Sequence, residues 1–253
     1  MKFFILLLLP LFLCAAENET FLPGYAFVHS IQNKTLVTTA GIPSKSSMVG
    51  KMLSAPFLNV KCDEDSSAAI VLSNNISIIV DANSEIFIET LLQTFPINYQ
   101  VNQESDSSKT ETIIRIIKGS VHFSCPEFRP SSQFIVKTNT SEYSVRAKYT
   151  HFECEDISDN LFVYDGSVST ESEEIKKPLI TGARYSVEKK GNKLTISSTA
   201  VSDMTLIPEL FQFENIKVLK SSVLYTCNSE NQVSAERVVS NYFIKLPAKF
   251  NLY

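Results

Sequence analysis

Apolar positions recur in short runs with a period of two along most of this chain. Ala68, Ile70 and Leu72 are followed by Ile76, Ile78 and Val80, and then by Ile86 and Ile88. The runs are separated by Ser73-Asn74-Asn75 and by Asp81-Ala82-Asn83-Ser84, residues that favour tight turns. Further runs lie at Ile113–Ile117, Val121–Cys125, Phe134–Lys137, Tyr143–Val145, Phe152–Cys154 and Leu161–Tyr164, and the series continues through Val168, Tyr185 and Val187 to Leu194–Ser197. Strands this short, about 8–12 residues apart, predict an all-β sandwich, roll or solenoid rather than a parallel α/β sheet. Asn102–Thr110 has no apolar anchor and is expected to be a surface loop, and Glu171–Lys177 another exposed turn.

The pattern changes after about residue 200. Pro208 interrupts a stretch containing Leu210, Phe211 and Phe213. Ile216–Tyr225 reads as a strand or strand pair. Ser234-Ala235-Glu236-Arg237 reads as the start of a short helix through Tyr242, with Ser234 as N-cap. The end alternates again: Ile244, Leu246, Ala248, Phe250 and Leu252 share one face, with Pro247 on the other, as suits an edge strand. Ile244, Leu246, Phe250 and Leu252 are therefore a candidate partner-binding edge, or alternatively the strand that closes the fold.

The N-terminus has a separate logic. Lys2 precedes the apolar run Phe3–Leu13, and Cys14-Ala15-Ala16 supplies small residues, so residues 1–16 are expected to be a signal peptide cleaved near Ala16. The run is too short for a span of about 20 residues, and Leu13 before Cys14 disfavours lipidation. The mature protein is expected to be exported, periplasmic or extracellular, with no transmembrane span. Residues 17–200 would form the main β domain and 201–253 a C-terminal extension of strands plus one short helix.

Composition narrows the chemistry. The 253 residues carry a net charge of −4 with 20% charged and 44% hydrophobic residues, which favours a folded core and gives no electrostatic reason to expect nucleic acid. Only seven Gly are present, so Asn, Asp and Ser must supply many bends. No P-loop, dinucleotide fingerprint or G-x-S-x-G context occurs, and the absence of Trp removes the commonest sugar-stacking platform. Asp63, Glu64 and Asp65 read as a solvated turn. Four N-x-S/T sequons, at Asn18, Asn33, Asn75 and Asn139, are about what chance gives in a chain this rich in Asn, Ser and Thr. No catalytic, cofactor or metal residues are expected.

Two internal echoes stand out. Ile116-Ile117-Lys118-Gly119-Ser120-Val121 matches Val163-Tyr164-Asp165-Gly166-Ser167-Val168, each expected to be strand, Gly-Ser turn, strand. His122-Phe123-Ser124-Cys125 matches His151-Phe152-Glu153-Cys154. On a strand, residues three apart face opposite ways, so neither His-x-x-Cys pair converges on one ion. If the two strands are neighbours, Cys125 and Cys154 face one core and are the first disulfide to test, while His122 and His151 share the other face, where ordinary surface histidines are expected and a weak metal or pH-sensitive pair is the lesser alternative. Cys62, Cys125, Cys154 and Cys227 permit three disulfide connectivities, and buried free thiols are the equal alternative.

These segments resemble the FecR-like domain of bacterial extracytoplasmic proteins, over about residues 26–190. The resemblance is carried by Asn83-Ser84 in the first turn region, by Gly119-Ser120-Val121 with Phe123, by Phe134-Ile135-Val136-Lys137-Thr138, by Gly166-Ser167-Val168, and by Leu179 with Gly182. Val145-Arg146-Ala147-Lys148-Tyr149 departs from the family's usual turn by lacking its glycine. The resemblance implies short antiparallel and stacked strands in a solenoid-like or roll-like fold. It also implies a non-catalytic binding or signalling role at the cell envelope, with a protein or peptide partner. In the best-known members an anti-sigma segment and a membrane helix precede the domain. A signal peptide is expected in their place here, so that relay is not carried over. A polysaccharide-acting enzyme and a self-associating envelope component are the alternatives.

Overall fold

The computed structural model describes residues 21–39, 41, 48–94, 109–125, 131–170 and 178–200 in full, and 42–43, 221–227, 232–239 and 242–251 by their backbone. The expected signal peptide, most of the 102–110 loop, the 171–177 turn, the Phe-rich stretch after Pro208 and Leu252 lie outside the described residues.

The described residues are all β, with no helix among them, so none is long and apolar enough to cross a membrane. Sixteen strands, from β1 (Phe21–Pro23) to β16 (Lys193–Ala200), join in one hydrogen-bonded sheet that does not close. Its main path runs from β16 through β15 (Ala183–Lys190), β13 (Ser158–Thr170), β12 (Glu142–Cys154), β11 (Gln133–Lys137), β10 (Thr110–Ser124), β8 (Ser77–Val80), β7 (Ser67–Leu72) and β2 (Tyr25–Gln32) to β5 (Met52–Ser54). The off-path strands include β9 (Glu85–Thr94) and β6 (Leu58–Cys62). Pairing is antiparallel except for β10 with β11, which run parallel. The pairing defines one large open sheet.

Long strands change partners along their length, and this bends the sheet. The first part of β10, through Lys118, pairs with β9; from Gly119 onward it pairs with β12, and from Val121 also with β8. Gly119 has φ +90 and Gly166, inside β13, has φ +112. The two Gly-Ser segments are thus bends inside continuous strands, not turns between strands as expected. Glycine alone takes such φ values without strain, so the chain coils sharply without reversing. The reversals fall to Asn, as expected: Asn75 (φ 70) turns β7 into β8, and Asn83 (φ 57) lies between β8 and β9.

The bent sheet wraps one core. Val121, Phe123, Phe152, Leu161 and Val163 are buried on its inner face, with Ile70, Ile78, Ile86 and Ile88. Phe123 meets Phe134 and Phe152 edge-on at 5.4 and 5.8 Å, and Tyr143 meets Phe152 at 5.5 Å, the offset geometry that aromatic quadrupoles favour. Each such side chain stabilises the fold by about 1.5–3 kcal/mol when fully buried. Below this cluster, Asp159 is wholly buried and accepts hydrogen bonds from Thr138 and Tyr143, both at 2.6 Å. Burial pushes its carboxyl above the usual range, against the pull of those hydroxyls.

The three-stranded sheet of β17 (Ser221–Cys227), β18 (Gln232–Val239) and β19 (Tyr242–Asn251) corrects the expected helix, since Ser234–Arg237 lie in β18. A helix of about eight residues is not stable by itself, whereas β18 has ladder partners on both sides and β-branched Val233, Val238 and Val239 within it. β19 has one paired side among the described residues, so Pro247 stands on an edge strand, as its missing N–H requires.

A Cβ at Gly119 would lie 2.7 Å from the Ser84 Cα, whereas one at Gly182 (φ +92) would meet open space. Gly182→Ala should therefore cost about 1 kcal/mol for backbone strain alone, and Gly119→Ala about 3 kcal/mol or more. Urea unfolding of the two variants measures this, and equal losses would show that the Ser84–Gly119 approach constrains nothing.

Candidate functional site

The site follows from period two and from register. His122 lies directly opposite Ile79 of β8 on one side and His151 of β12 on the other. His151 in turn lies opposite Phe162 of β13, and Phe162 opposite Arg184 of β15. One row of side chains therefore crosses five strands on the outer face. The His122 and His151 rings stack at 4.0 Å, His151 and Phe162 stack at 5.1 Å, and the Arg184 guanidinium sits 4.8 Å from the Phe162 ring centre. Arg184 also pairs with Glu153 at 3.0 Å. The face is not open to water at His122, which is buried at 8% relative exposure.

Asp81 anchors the row. Its backbone N–H donates to Ser120 O at 3.1 Å, which places it one step along the sheet from His122. Its Oδ2 lies 2.7 Å from His122 Nε2 and 2.6 Å from Ser120 Oγ. Ser120 Oγ lies 2.9 Å from His151 Nε2. One proton arrangement satisfies all three contacts: His151 Nε2–H donates to Ser120, the Ser120 hydroxyl donates to Asp81, and His122 Nε2–H donates to Asp81.

Burial raises the pKa of Asp81, but the hydrogen bond and charge of His122, with help from Ser120 and His151, outweigh it and hold the carboxyl below its ordinary value. Burial pushes the His151 imidazole down to about 3; the charges of His122 and Arg184 add to this, and Asp81 opposes it. The site thus combines a carboxylate with an imidazole that stays neutral.

A serine, two histidines and an aspartate invite comparison with a nucleophilic triad, and the order of contacts differs. In a triad the imidazole stands between hydroxyl and carboxylate and takes the hydroxyl proton. Here the carboxylate is central, and the Ser120 proton is committed to Asp81. This arrangement orients rings and stores a proton network.

Residues 59–169 match the family model described as FecR protein. The chain carries a FecR domain. The comparison with curated proteins finds no match. Among solved structures, two crystal structures of a proposed anti-sigma factor from Parabacteroides distasonis are similar at 14% identity and a TM-score of 0.42. One covers 68% of each chain and the other 66% of each.

The FecR domain contains the whole Asp81, Ser120, His122 and His151 cluster. Two of its motif segments meet there. Ser84 is fully buried, its Oγ accepts the Ser120 N–H at 2.8 Å, and Gly119 lies directly beneath it. Asn83-Ser84 and Gly119-Ser120 are therefore one latch, and that latch carries Asp81 to the histidines. Val121 and Phe123 point inward to the core. Gly166, Ser167 and Val168 bend β13 beside Ala147 of β12, and Gly182 lies in the turn before β15, beyond the matched residues.

The expected Cys125–Cys154 disulfide is corrected. Both thiols are free and buried on the core side of neighbouring strands. The strands are antiparallel, however: Cys154 lies opposite Gly119, and Cys125 N–H bonds Lys148 O at 2.7 Å. The two residues stand six positions apart along the ladder, roughly 20 Å, far beyond disulfide reach. Burial pushes the Cys62 thiol up to about 11 and those of Cys125 and Cys154 higher still. The histidine pair on the opposite face is brought together as expected. Asp81 and Ser120 were missed as its partners, although Ser120, two residues before His122, had to share its face.

The His151 shift gives a pH dependence. An imidazole ionises near 6.5 when unfolded and near 3 here, so the folded state binds fewer protons between those values. Its contribution is intact above pH 6.5 and is lost as pH falls, by about 2 kcal/mol at pH 5. The groups that face it are Asp81, Ser120, His122, Phe162 and the Arg184–Glu153 pair. In chelator-containing buffer, His151→Phe, which keeps the ring stack, should flatten the fall in stability between pH 7 and pH 5. An unchanged fall would place the acid-sensitive group elsewhere.

Proposed function

We propose that this FecR-domain protein is an exported, non-catalytic binding or signalling module of the bacterial cell envelope. The observation that carries the reading is the FecR match over residues 59–169, since resemblance to that family implies binding or signalling at the cell envelope. The N-terminal segment, Lys2 followed by the apolar Phe3–Leu13 and by Ala15-Ala16, supports export.

The chain offers a partner its strand edges. Among the described residues β19 has one paired side, and its sequence carries Ile244, Leu246 and Phe250 at alternate positions, with Leu252 next in the pattern beyond the described residues. A peptide or partner strand added to that side would gain main-chain hydrogen bonds for affinity and alternate side-chain pockets for specificity. Lys245 and Lys249, which alternate with these positions in the sequence, and Pro247 oppose indiscriminate pairing.

Two linked measurements test the proposal. Expressed with its own N-terminus in a Gram-negative host, the protein should be processed to begin at Glu17, as read by intact mass; an unprocessed cytoplasmic product would overturn export. A photo-crosslinking residue at Lys245, used in the native envelope and scored by mass spectrometry, should capture one dominant protein partner. Recovery of only the protein itself, or of glycan, would move the weight to a structural or polysaccharide-acting role.

A further inference from the structure

We propose that Asp81, His122 and His151 form a binding site for one divalent transition-metal ion of the Zn²⁺ class, on the outer face of the FecR domain. The proposal is independent of the partner-binding reading. One donor atom from each of the three side chains lies within 4.8 Å of the others. The two histidines are directly opposed on adjacent antiparallel strands, where Cβ atoms lie about 4.5–5.5 Å apart, so both imidazoles stand on a single face of the sheet, and tilting the stacked rings would turn both toward one ion. Their Nε2 atoms both approach the Asp81–Ser120 bridge.

Two imidazoles and one carboxylate are the donors that Zn²⁺ takes. Mg²⁺ and Ca²⁺ would want oxygens instead. Three protein ligands leave the fourth position to water, and the Asp81 side chain, 36% exposed, opens on that side. On binding, each imidazole would switch tautomer, its proton moving from Nε2 to Nδ1, so that both neutral rings present an Nε2 lone pair to the ion and no net proton leaves the rings.

The surroundings set the strength. The Ser84–Gly119 latch and the β8–β10–β12 ladder hold the backbone of the ligands without the ion, but the two rings stack nearly parallel and must tilt to bring both Nε2 lone pairs onto it. His122 Nδ1, however, is buried without a partner, so its ring lacks the second hydrogen bond that orients a ligating histidine. That lack typically weakens a site by roughly 10–100-fold. The affinity expected is therefore micromolar, suited to an ion that comes and goes.

The test uses the purified full chain after chelator treatment. Titration with ZnCl₂ followed by calorimetry should give one equivalent bound with micromolar affinity. Co²⁺ in its place should give visible bands of a nitrogen–oxygen site. Asp81→Asn, which is isosteric and retains hydrogen bonding, should weaken Zn²⁺ at least tenfold, and so should His151→Phe. His29→Asn, at the third and remaining histidine of the chain, should leave the titration unchanged. Circular dichroism confirms that each variant is folded, and Asp81→Asn carries the test if His151→Phe is not. The proposal is overturned by the absence of saturable binding, by unchanged affinity in folded Asp81→Asn, or by sulfur-to-cobalt charge-transfer bands that would place the ion on cysteine.

Discussion

Where Gly119 passes beneath Ser84, the sheet bends and two strands approach more closely than any side chain at Gly119 would allow. Much of the rest depends on that approach. It lets β10 leave β9 and take up β8 and β12, so that one continuous strand lines two parts of the core. The latch is polar as well as steric, since the buried Ser84 hydroxyl accepts the Ser120 N–H and donates to Ala82 O at 3.0 Å. A backbone donor at a bend loses its ladder partner and must find another, and a buried serine is the smallest group that supplies one.

The bend also separates two kinds of cross-strand row. On the inner face, Val80, Val121, Phe152, Leu161 and Tyr185 lie opposite one another and are buried. On the outer face, the row one residue away is Ile79, His122, His151, Phe162 and Arg184. A second outer row lies before the bend: Glu89 pairs with Arg115 at 2.6 Å and with Lys137 at 3.6 Å, and Lys137 reaches Glu142 at 3.3 Å. These half-exposed pairs add only tenths of a kcal/mol each, but like charges at the same positions would oppose the register, so they help to fix it.

Much of this was legible in the sequence, and the failures share one cause. Period two gave the strands and the shared face of His122 and His151. The same period gave Phe123 and Phe152 to the core. What period two cannot give is direction and partner. The repeated His-Phe-x-Cys segments suggested strands aligned cysteine to cysteine. The antiparallel ladder pairs the histidines but drives Cys125 and Cys154 to opposite ends. Gly119-Ser120 and Gly166-Ser167 have the composition of turns, and only the tertiary approach of Ser84 and Ala147 makes them bends. Asp81 joined the site through β8, whose pairing with β10 spans about 40 residues of sequence and leaves no local trace.

The outer row is where the fold departs most from the demands of stability. An Ile or Val pair would suit the opposed positions 122 and 151 without desolvating two imidazoles and a carboxylate. Instead His122 is buried with one nitrogen unpartnered, and His151 is held neutral against its own basicity. The core does not need these groups, because Phe123, Phe152 and Leu161 fill the inner face without them. Nor do they set register alone, since the inner row specifies the same pairing. A polar cluster that is costly, rigidly supported and unnecessary for packing is better explained by what it binds than by what it holds together.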